Sequence, residues 1–413
     1  MNLWILVRSY LGSRPLNTAL NILLLALGVA VIAILILFNH QFQEKVAANA
    51  RGIDLVVGAK GSPMQLILSS IFHVDFPTGN INLVEAERVA RNRLVRNAIP
   101  LALGDSYNGY RIIGTTHHYA QLYKADIRSG TLWKNPMEVT IGATVATRLK
   151  IAVGSRFASN HGLSQSGHAH DEHEFIVSGI FEASNTVLDN LILTGVESVW
   201  MVHDLHGATS ETASGQPAIP STLVPSAVQG DSTKEITALL IQYRSAMGAI
   251  QLPRLVNSQS SLQAASPAFE TARLFSLVGV GVDILEGFAS ILIFISALSI
   301  FIALYNSLKE RKYDLAIMRS MGASKPRIFF SVLIEGIVLT LLGTACGLLL
   351  AHVGIFLFSV LVEEAGKSGI TGLVFYPEEG IILAASLLLG VSCSLLPAWQ
   401  AYRTDISKVL ASR

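Results

Sequence analysis

The sequence predicts an α-helical membrane protein with four transmembrane helices and an α+β extracytoplasmic domain inserted between the first and second. Three observations predict it. Hydrophobic residues make up 51% of the chain and charged residues 14%, with a mean hydropathy of +0.49, far from an average soluble domain. Four apolar runs approach or exceed the roughly 20 residues that a helix needs to cross a bilayer. Between the first two runs, from about Gly52 to Ala272, no segment is long and apolar enough to do so.

The first run, Ile22 to Phe38, follows Arg8 and Arg14 and is lengthened by Thr18 to Leu20. Ala48-Asn49-Ala50 resembles a signal-peptide cleavage site. The run is longer than a typical signal core, however, and the site lies far beyond its end, so an uncleaved span is expected. The segments expected are a cytoplasmic one over 1–17, a span over 18–40 and the extracytoplasmic domain with helical stalks over 41–272. A stalk and second span follow over 273–306, then a charged segment over 307–327 and a third span over 328–362. A loop over 363–379, a fourth span over 380–397 and a tail over 398–413 complete the chain.

Within the inserted domain, Leu83 to Asn97 carries apolar residues on one helical face and Glu and Arg largely on the other, predicting a helix. Tyr110–Thr115, Glu138–Ile141, Phe175–Ile180 and Glu235–Tyr243 are β-rich and bounded by turn residues, predicting strands. Short helices are expected at Ala143–Lys150, Glu197–Leu205 and Ser245–Val256. Gly207 to Lys234, rich in Ser, Thr, Gly and Pro, reads as a long loop.

Charge is sorted by loop. Arg8 and Arg14, the cluster from Lys309 to Arg327, and the tail with Arg403, Lys408 and Arg413 fall on one side of an even number of spans. Lys and Arg in short loops stay in the cytoplasm, so both termini are expected there. The inserted domain and the acidic loop with Glu363, Glu364, Glu378 and Glu379 then lie outside. The net charge of +1 gives no basis for a nucleic-acid partner, and both cysteines, Cys346 and Cys393, lie in apolar runs.

Candidate chemistry is sparse. His161, His168, His170 and His173 stand beside Asp171, Glu172 and Glu174, ligand types that suit zinc, nickel or copper, although the spacing matches no closed site and solvated loops gather the same residues. Asp54 to Pro63 has a Gly-rich turn after a strand-like run. It lacks the Gly-x4-Gly-Lys-Ser/Thr spacing of a phosphate loop and is read as a turn, so the chain carries no nucleotide loop of its own. Asp283 and Glu286, one turn apart at the outer edge of the second span, are either a gate or substrate contact or stalk charges just above the hydrocarbon. Gly343, Ala345 and Gly347 permit close helix packing in the third span, as at a dimer interface. No Ser-His-Asp or Cys-His arrangement at a persuasive spacing supports catalysis.

The segment between the second and third spans is the most informative. Asp314, Ile317, Met318 and Met321 fall at i, i+3, i+4 and i+7, so Ile317, Met318 and Met321 are expected on one apolar stripe of a short amphipathic helix. Gly322 supplies a stop, and Pro326 suits the opening of the next helix. Glu310-Arg311, then Asp314-Leu315-Ala316-Ile317-Met318-Arg319-Ser320-Met321-Gly322-Ala323-Ser324, then Glu335-Gly336 resemble the MacB/FtsX-like permeases of ABC transporters, which include macrolide exporters and lipoprotein-releasing permeases. Members usually carry Glu-Ile-Gly where this chain has Asp314-Leu315-Ala316. Leu396-Pro397-Ala398-Trp399-Gln400-Ala401-Tyr402-Arg403-Thr404-Asp405 resembles the family's ending, with Ile406 in place of proline. Leu25 to Ala30 is a weaker match.

The resemblance implies a non-catalytic subunit of the bacterial cytoplasmic (inner) membrane that takes no cofactor itself, with ATP and Mg bound by a separate ABC ATPase in two copies. It implies coupling to that ATPase through Glu310, Arg311, Asp314, Ile317, Met318, Arg319, Met321, Gly322, Ala323 and Ser324, with Glu335, Gly336 and Pro397 as structural support. A second permease copy, membrane lipids and a periplasmic or lipoprotein partner complete the expected assembly. Its action is mechanotransmission that exports or extracts a substrate from the outer leaflet or periplasm. A regulatory device controlling a cell-wall hydrolase or sensing a ligand is the alternative.

Overall fold

The computed structural model describes residues 15–160, 169–202, 234–362 and 369–403, together with Ser9 and Gly12. It divides into two units, Gln43–Ser276 and a second formed by Met1–Phe42 with Leu277–Arg413.

The inserted unit is built on a mixed sheet. Its strands are β1 (Leu55–Ala59), β3 (Val95–Tyr107), β4 (Tyr110–Thr115), β5 (Ile127–Gly130), β6 (Glu138–Ile141), β7 (Arg156–Asn160), β8 (Ala169–Phe181), β9 (Leu191–Gly195), β11 (Ala238–Tyr243) and β12 (Leu262–Ala265). The order is β12-β1-β11-β3-β4-β9-β6-β8-β5, with β7 pairing β3 and β8. β4–β9 and β6–β8 run parallel and the other pairs antiparallel. A two-stranded ribbon joins β2 (Ile81–Asn82) to β10 (Glu235–Ile236). β3 is the spine: its first half pairs β11 and its second half pairs β4.

Period-2 alternation explains why the sheet is covered on both faces. In β1, Val56 enters one apolar cluster with Leu66, Ile67, Ile71, Tyr119 and Phe181, while Leu55 and Val57 enter another with Val89, Leu252 and Val256. A strand buried on both sides reads as a continuous apolar run, as Leu55-Val56-Val57 does.

The strands expected at 110–115 and 138–141 form as such, and that at 175–180 lies within β8. Two expectations need correction. The helix expected over Leu83–Asn97 stops at Ala90 (α3, Leu83–Ala90), because Asn92 turns the chain by accepting the Leu94 amide at 3.0 Å, and Val95 begins β3. The strand expected over Glu235–Tyr243 breaks at Thr237, whose hydroxyl accepts the Leu103 amide at 2.9 Å. The long loop expected from Gly207 lies, up to residue 233, outside the described residues.

Further helices of this unit include α2 (Pro63–Ile67), opened by Ser62 and Pro63, and α4 (His117–Leu122). α5 (Ala143–Leu149) ends at Lys150 in the left-handed conformation, and α6 (Ala246–Gln259) packs Leu252 and Val256 against the sheet.

Among the described residues four helices are long and apolar enough to cross a bilayer, each lying wholly or mostly in the second unit: α1 (Pro15–Asn49), α7 (Pro267–Glu310), α9 (Lys325–Leu361) and α10 (Glu378–Arg403). α9 is central. A Cβ on Gly343 would lie 2.8 Å from the Leu25 side chain, and one on Gly347 would lie 2.8 Å from the Ala26 carbonyl oxygen. On its other side Gly336 faces Ser394, and Gly390 of α10 faces Thr340. Gly343 and Gly347 thus serve close packing inside one chain instead of a dimer interface. A small-residue stripe permits close approach without naming the partner. Ala345 is exposed.

Candidate functional site

The segment that stands out sits where α7 ends and α9 begins. α7 stops at Glu310; Arg311 leaves helical geometry (φ −89°, ψ 8°), and a short helix, α8 (Lys312–Ser320), starts again from it. Gly322 ends α8 with φ +99°, and the Ala323 amide reaches back to the Met318 carbonyl at 2.9 Å, a left-handed helix stop that glycine adopts without strain. Ser324, in extended geometry, then precedes α9, with Pro326 in its first turn.

One face of α8 is joined to the spans. Leu308, Leu315, Ile328, Val332, Ala398 and Ala401 form a buried cluster, with Met318 and Phe329 packed against it. Pro397 is buried in α10 one residue before Ala398, so the matched C-terminal residues meet the matched segment in space. Arg311 Nη1 lies 3.4 Å from Glu335 Oε2, their side chains only 16% and 9% exposed. Breaking a buried pair of this kind costs about 3–5 kcal/mol, because the remaining charge stays out of water. Both residues line a small polar cavity of about 70 Å³ together with Asn17, Thr18, Asn21, Asn306 and Ser307.

The other face is open. Tyr313 and Ile317 are 41% and 37% exposed and Met321 is 82% exposed, with Ser320, Gly322 and Ser324 exposed beside them. The single apolar stripe expected from spacing is therefore divided: Met318 turns inward with Leu315 and Ala316, while Ile317 and Met321 turn outward. Leu315 and Ala316 explain the difference, since two adjacent apolar residues shift the buried arc by about one position on a 3.6-residue repeat. Glu310 is exposed, Arg319 and Ala323 are half-buried, and of Asp314 the backbone within α8 is described. Sequence reasoning named Arg311 and Glu335 but missed that they pair. A carboxylate inside a span calls for a cation within reach, and that was the available signal.

The histidine-rich segment over 155–174, expected as a loop, instead has its described ends in β7 and β8, which pair with each other. His161 and His168 lie outside the described residues, and of His170 and His173 only the backbone, within β8, is described. Among the described residues no group of three or more His, Cys, Asp or Glu is placed to hold a metal. Lys60 lies in the Gly-rich turn after β1, and Ser62, two residues on, accepts the Gln65 amide as the cap of α2. Asp283 and Glu286 are exposed on α7.

The inserted unit holds a buried polar string. His73, 8% exposed, meets the Tyr119 hydroxyl at 2.9 Å, and the Tyr123 hydroxyl donates to the Asn49 carbonyl at the end of α1. Burial, and next the Arg111 charge, push the His73 imidazole down to about 3, so it is neutral. Burial also raises the Tyr119 and Tyr123 phenols above their ordinary range.

Comparison with known proteins agrees with this architecture. Residues 18–242 match the MacB-like periplasmic core domain, and residues 287–406 match the FtsX-like permease C-terminal family. A curated relative, the uncharacterized ABC transporter permease YknZ of Bacillus subtilis (strain 168), is 26% identical over 134 residues; the matched part spans 32% of this chain and 32% of that relative. Among solved structures, the periplasmic region of MacB from Actinobacillus actinomycetemcomitans is similar at 11% identity and TM-score 0.34, over 56% of this chain and 97% of that one. The extracellular domain of the noncanonic ABC-type transporter YknZ from Gram-positive bacteria is similar at 13% identity and TM-score 0.30, over 52% and 99%. One family match takes in the first span with the inserted domain and the other takes in the remaining spans with the α8 segment, and the chain belongs to the MacB/FtsX-like family of ABC transporter permeases.

Proposed function

We propose that this permease is the mechanotransmitting membrane subunit of a transporter whose ATP and Mg are bound by two copies of a separate ATPase. The observation that carries the reading is the two-sidedness of α8. Its inner face is joined to α9 and α10 through Leu315, Met318 and the Arg311–Glu335 pair, while Ile317 and Met321 are exposed on the other. A helix so attached moves with the spans when it is gripped. A partner can bias that motion only through contacts that differ between its nucleotide states, and the open face of α8 is where those contacts form.

The basic residues from Lys309 to Arg327 support an orientation with this end of the bundle and both termini in the cytoplasm of a bacterial cell and the inserted unit outside. Movement passes along continuous helices: α1 has 35 residues and α7 has 44, each well beyond the roughly 20 that a bilayer core requires. Two permease copies pair, and their external domains change spacing to move a substrate out of the outer leaflet or the periplasm.

The test is ATP turnover of the full membrane complex, the permease co-expressed with its ATPase, comparing wild type with Ile317→Asp and Met321→Asp. A charge in the contact face should weaken assembly on the order of tenfold or more, as for an interface hot spot, and stimulated turnover should fall with it. Unchanged assembly and turnover in both variants would remove α8 as the coupling element.

A further inference from the structure

A second cavity lies in the membrane unit, between α1, α7 and α10, with a volume of about 370 Å³. That is the size of a small-molecule site, which typically encloses roughly 300–1,000 Å³. Its lining is almost wholly aliphatic, from Leu25, Val29 and Ile36 on α1 to Ile382 and Leu389 on α10. Ser386, a polar residue in this wall, donates its hydroxyl to the Leu383 carbonyl at 2.9 Å and has no proton left to offer. Such a space suits a hydrocarbon chain.

One end is different. Leu25 and Leu389 mark the end nearer the α8 segment; Ile36 and Glu378, the first residue of α10, mark the other. Glu378 Oε1 is met by His40 Nε2 at 3.3 Å, and the His40 ring is stacked on Tyr376 with centroids 4.8 Å apart. Glu378 Oε2 is enclosed and has no hydrogen-bond partner among the described residues, while the side chain as a whole is 38% exposed. A carboxylate oxygen enclosed without a donor is destabilising, and an occupant that carries a donor at this end of the cavity satisfies it. The occupant is thus apolar along its length and carries a hydrogen-bonding cation at the Glu378 end.

We propose that the cavity holds one acyl chain of a phospholipid with a primary ammonium head, the ammonium donating to Glu378. Under the orientation proposed above the lipid belongs to the outer leaflet, and it is the kind of amphiphile that the proposed transport would handle. The site does not depend on that transport, and its test reads lipid instead of ATP turnover, so either reading can fail alone.

The experiment places the full-length protein in vesicles of phosphatidylethanolamine and phosphatidylglycerol containing a trace of either lipid with a photoactivatable acyl chain, and maps the labelled peptides. The ethanolamine probe should label 25–36 and 378–389. Glu378→Gln, nearly isosteric, should reduce that labelling on the order of tenfold, as expected for one charge-assisted hydrogen bond. Ala385→Trp should block it by filling the cavity, while Leu388→Trp, at a position 70% exposed, should leave it intact. Equal labelling by the glycerol probe, or labelling unchanged in Glu378→Gln, would overturn the proposal. So would cross-links showing a second copy's helix in the cavity. The Glu378→Gln comparison decides even if the tryptophan variant does not fold.

Discussion

His73 shows how one residue sets a condition on the inserted unit. It occupies the left-handed region (φ 55°) just after a π-helical turn, its imidazole is enclosed, and its ordinary value of 6.5 falls to about 3. The unfolded chain therefore binds a proton between pH 6.5 and 3 that the folded chain does not, and folding stability is complete above 6.5 and declines as pH falls through that window. The slope from this one group is about 1.4 kcal/mol per pH unit inside the window. His73→Asn keeps a residue that tolerates positive φ and removes the titration, so urea midpoints measured from pH 7 to pH 4.5 should fall less steeply in the variant. Parallel pH profiles for the two proteins would mean that His73 is not held neutral. Nothing in the local sequence marks this histidine; Arg111 and Tyr119 come to it only through the sheet.

At the level of elements, α9 is the part on which the membrane unit is assembled, and its glycines separate two kinds of position. Gly347 lies against the backbone oxygen of Ala26, which cannot move aside as a side-chain end can. Gly354, two turns further on, has nothing within 4 Å of a prospective Cβ. Gly347→Ala should force α1 and α9 apart and lower thermal stability by about 1–3 kcal/mol, the usual cost of overpacking. Gly354→Ala should be neutral or gain up to about 1 kcal/mol from helix propensity. Equal effects of the two would show that α1 and α9 do not pack closely. What was legible at this level follows the same division. The spans, the Gly322 stop and the strands at 110–115 and 138–141 depend on local period and turn chemistry, which a sequence displays. The inward turn of Met318 and the α1 partner of Gly343 depend on a neighbour distant in the chain, which it does not.

At the scale of the whole molecule, the chain carries two cores of different kinds. The membrane unit is apolar outward, with α7 exposing Phe288, Phe294 and Leu298 among others, as suits a lipid solvent. The unit Gln43–Ser276 has a water-protein interior, with apolar clusters on both faces of a sheet whose strands all belong to it. Composition and the positions of Lys and Arg make this division readable in the sequence. The pairing of β3 with both β11 and β4 is not readable there, because it joins strands from distant parts of the chain. A unit that contains its own sheet and cores should fold alone. Expressed as residues 43–276 without the spans, it should be monomeric without detergent and unfold in one cooperative transition, with coincident midpoints by circular dichroism and tryptophan fluorescence. The acid sensitivity conferred by His73 should persist in the fragment, since His73, Tyr119, Tyr123 and Asn49 all lie inside it. Non-cooperative melting, or loss of that acid sensitivity, would mean that the end of α1 is held in place only by the rest of its helix and that the polar string from Asn49 to His73 needs the membrane unit to form.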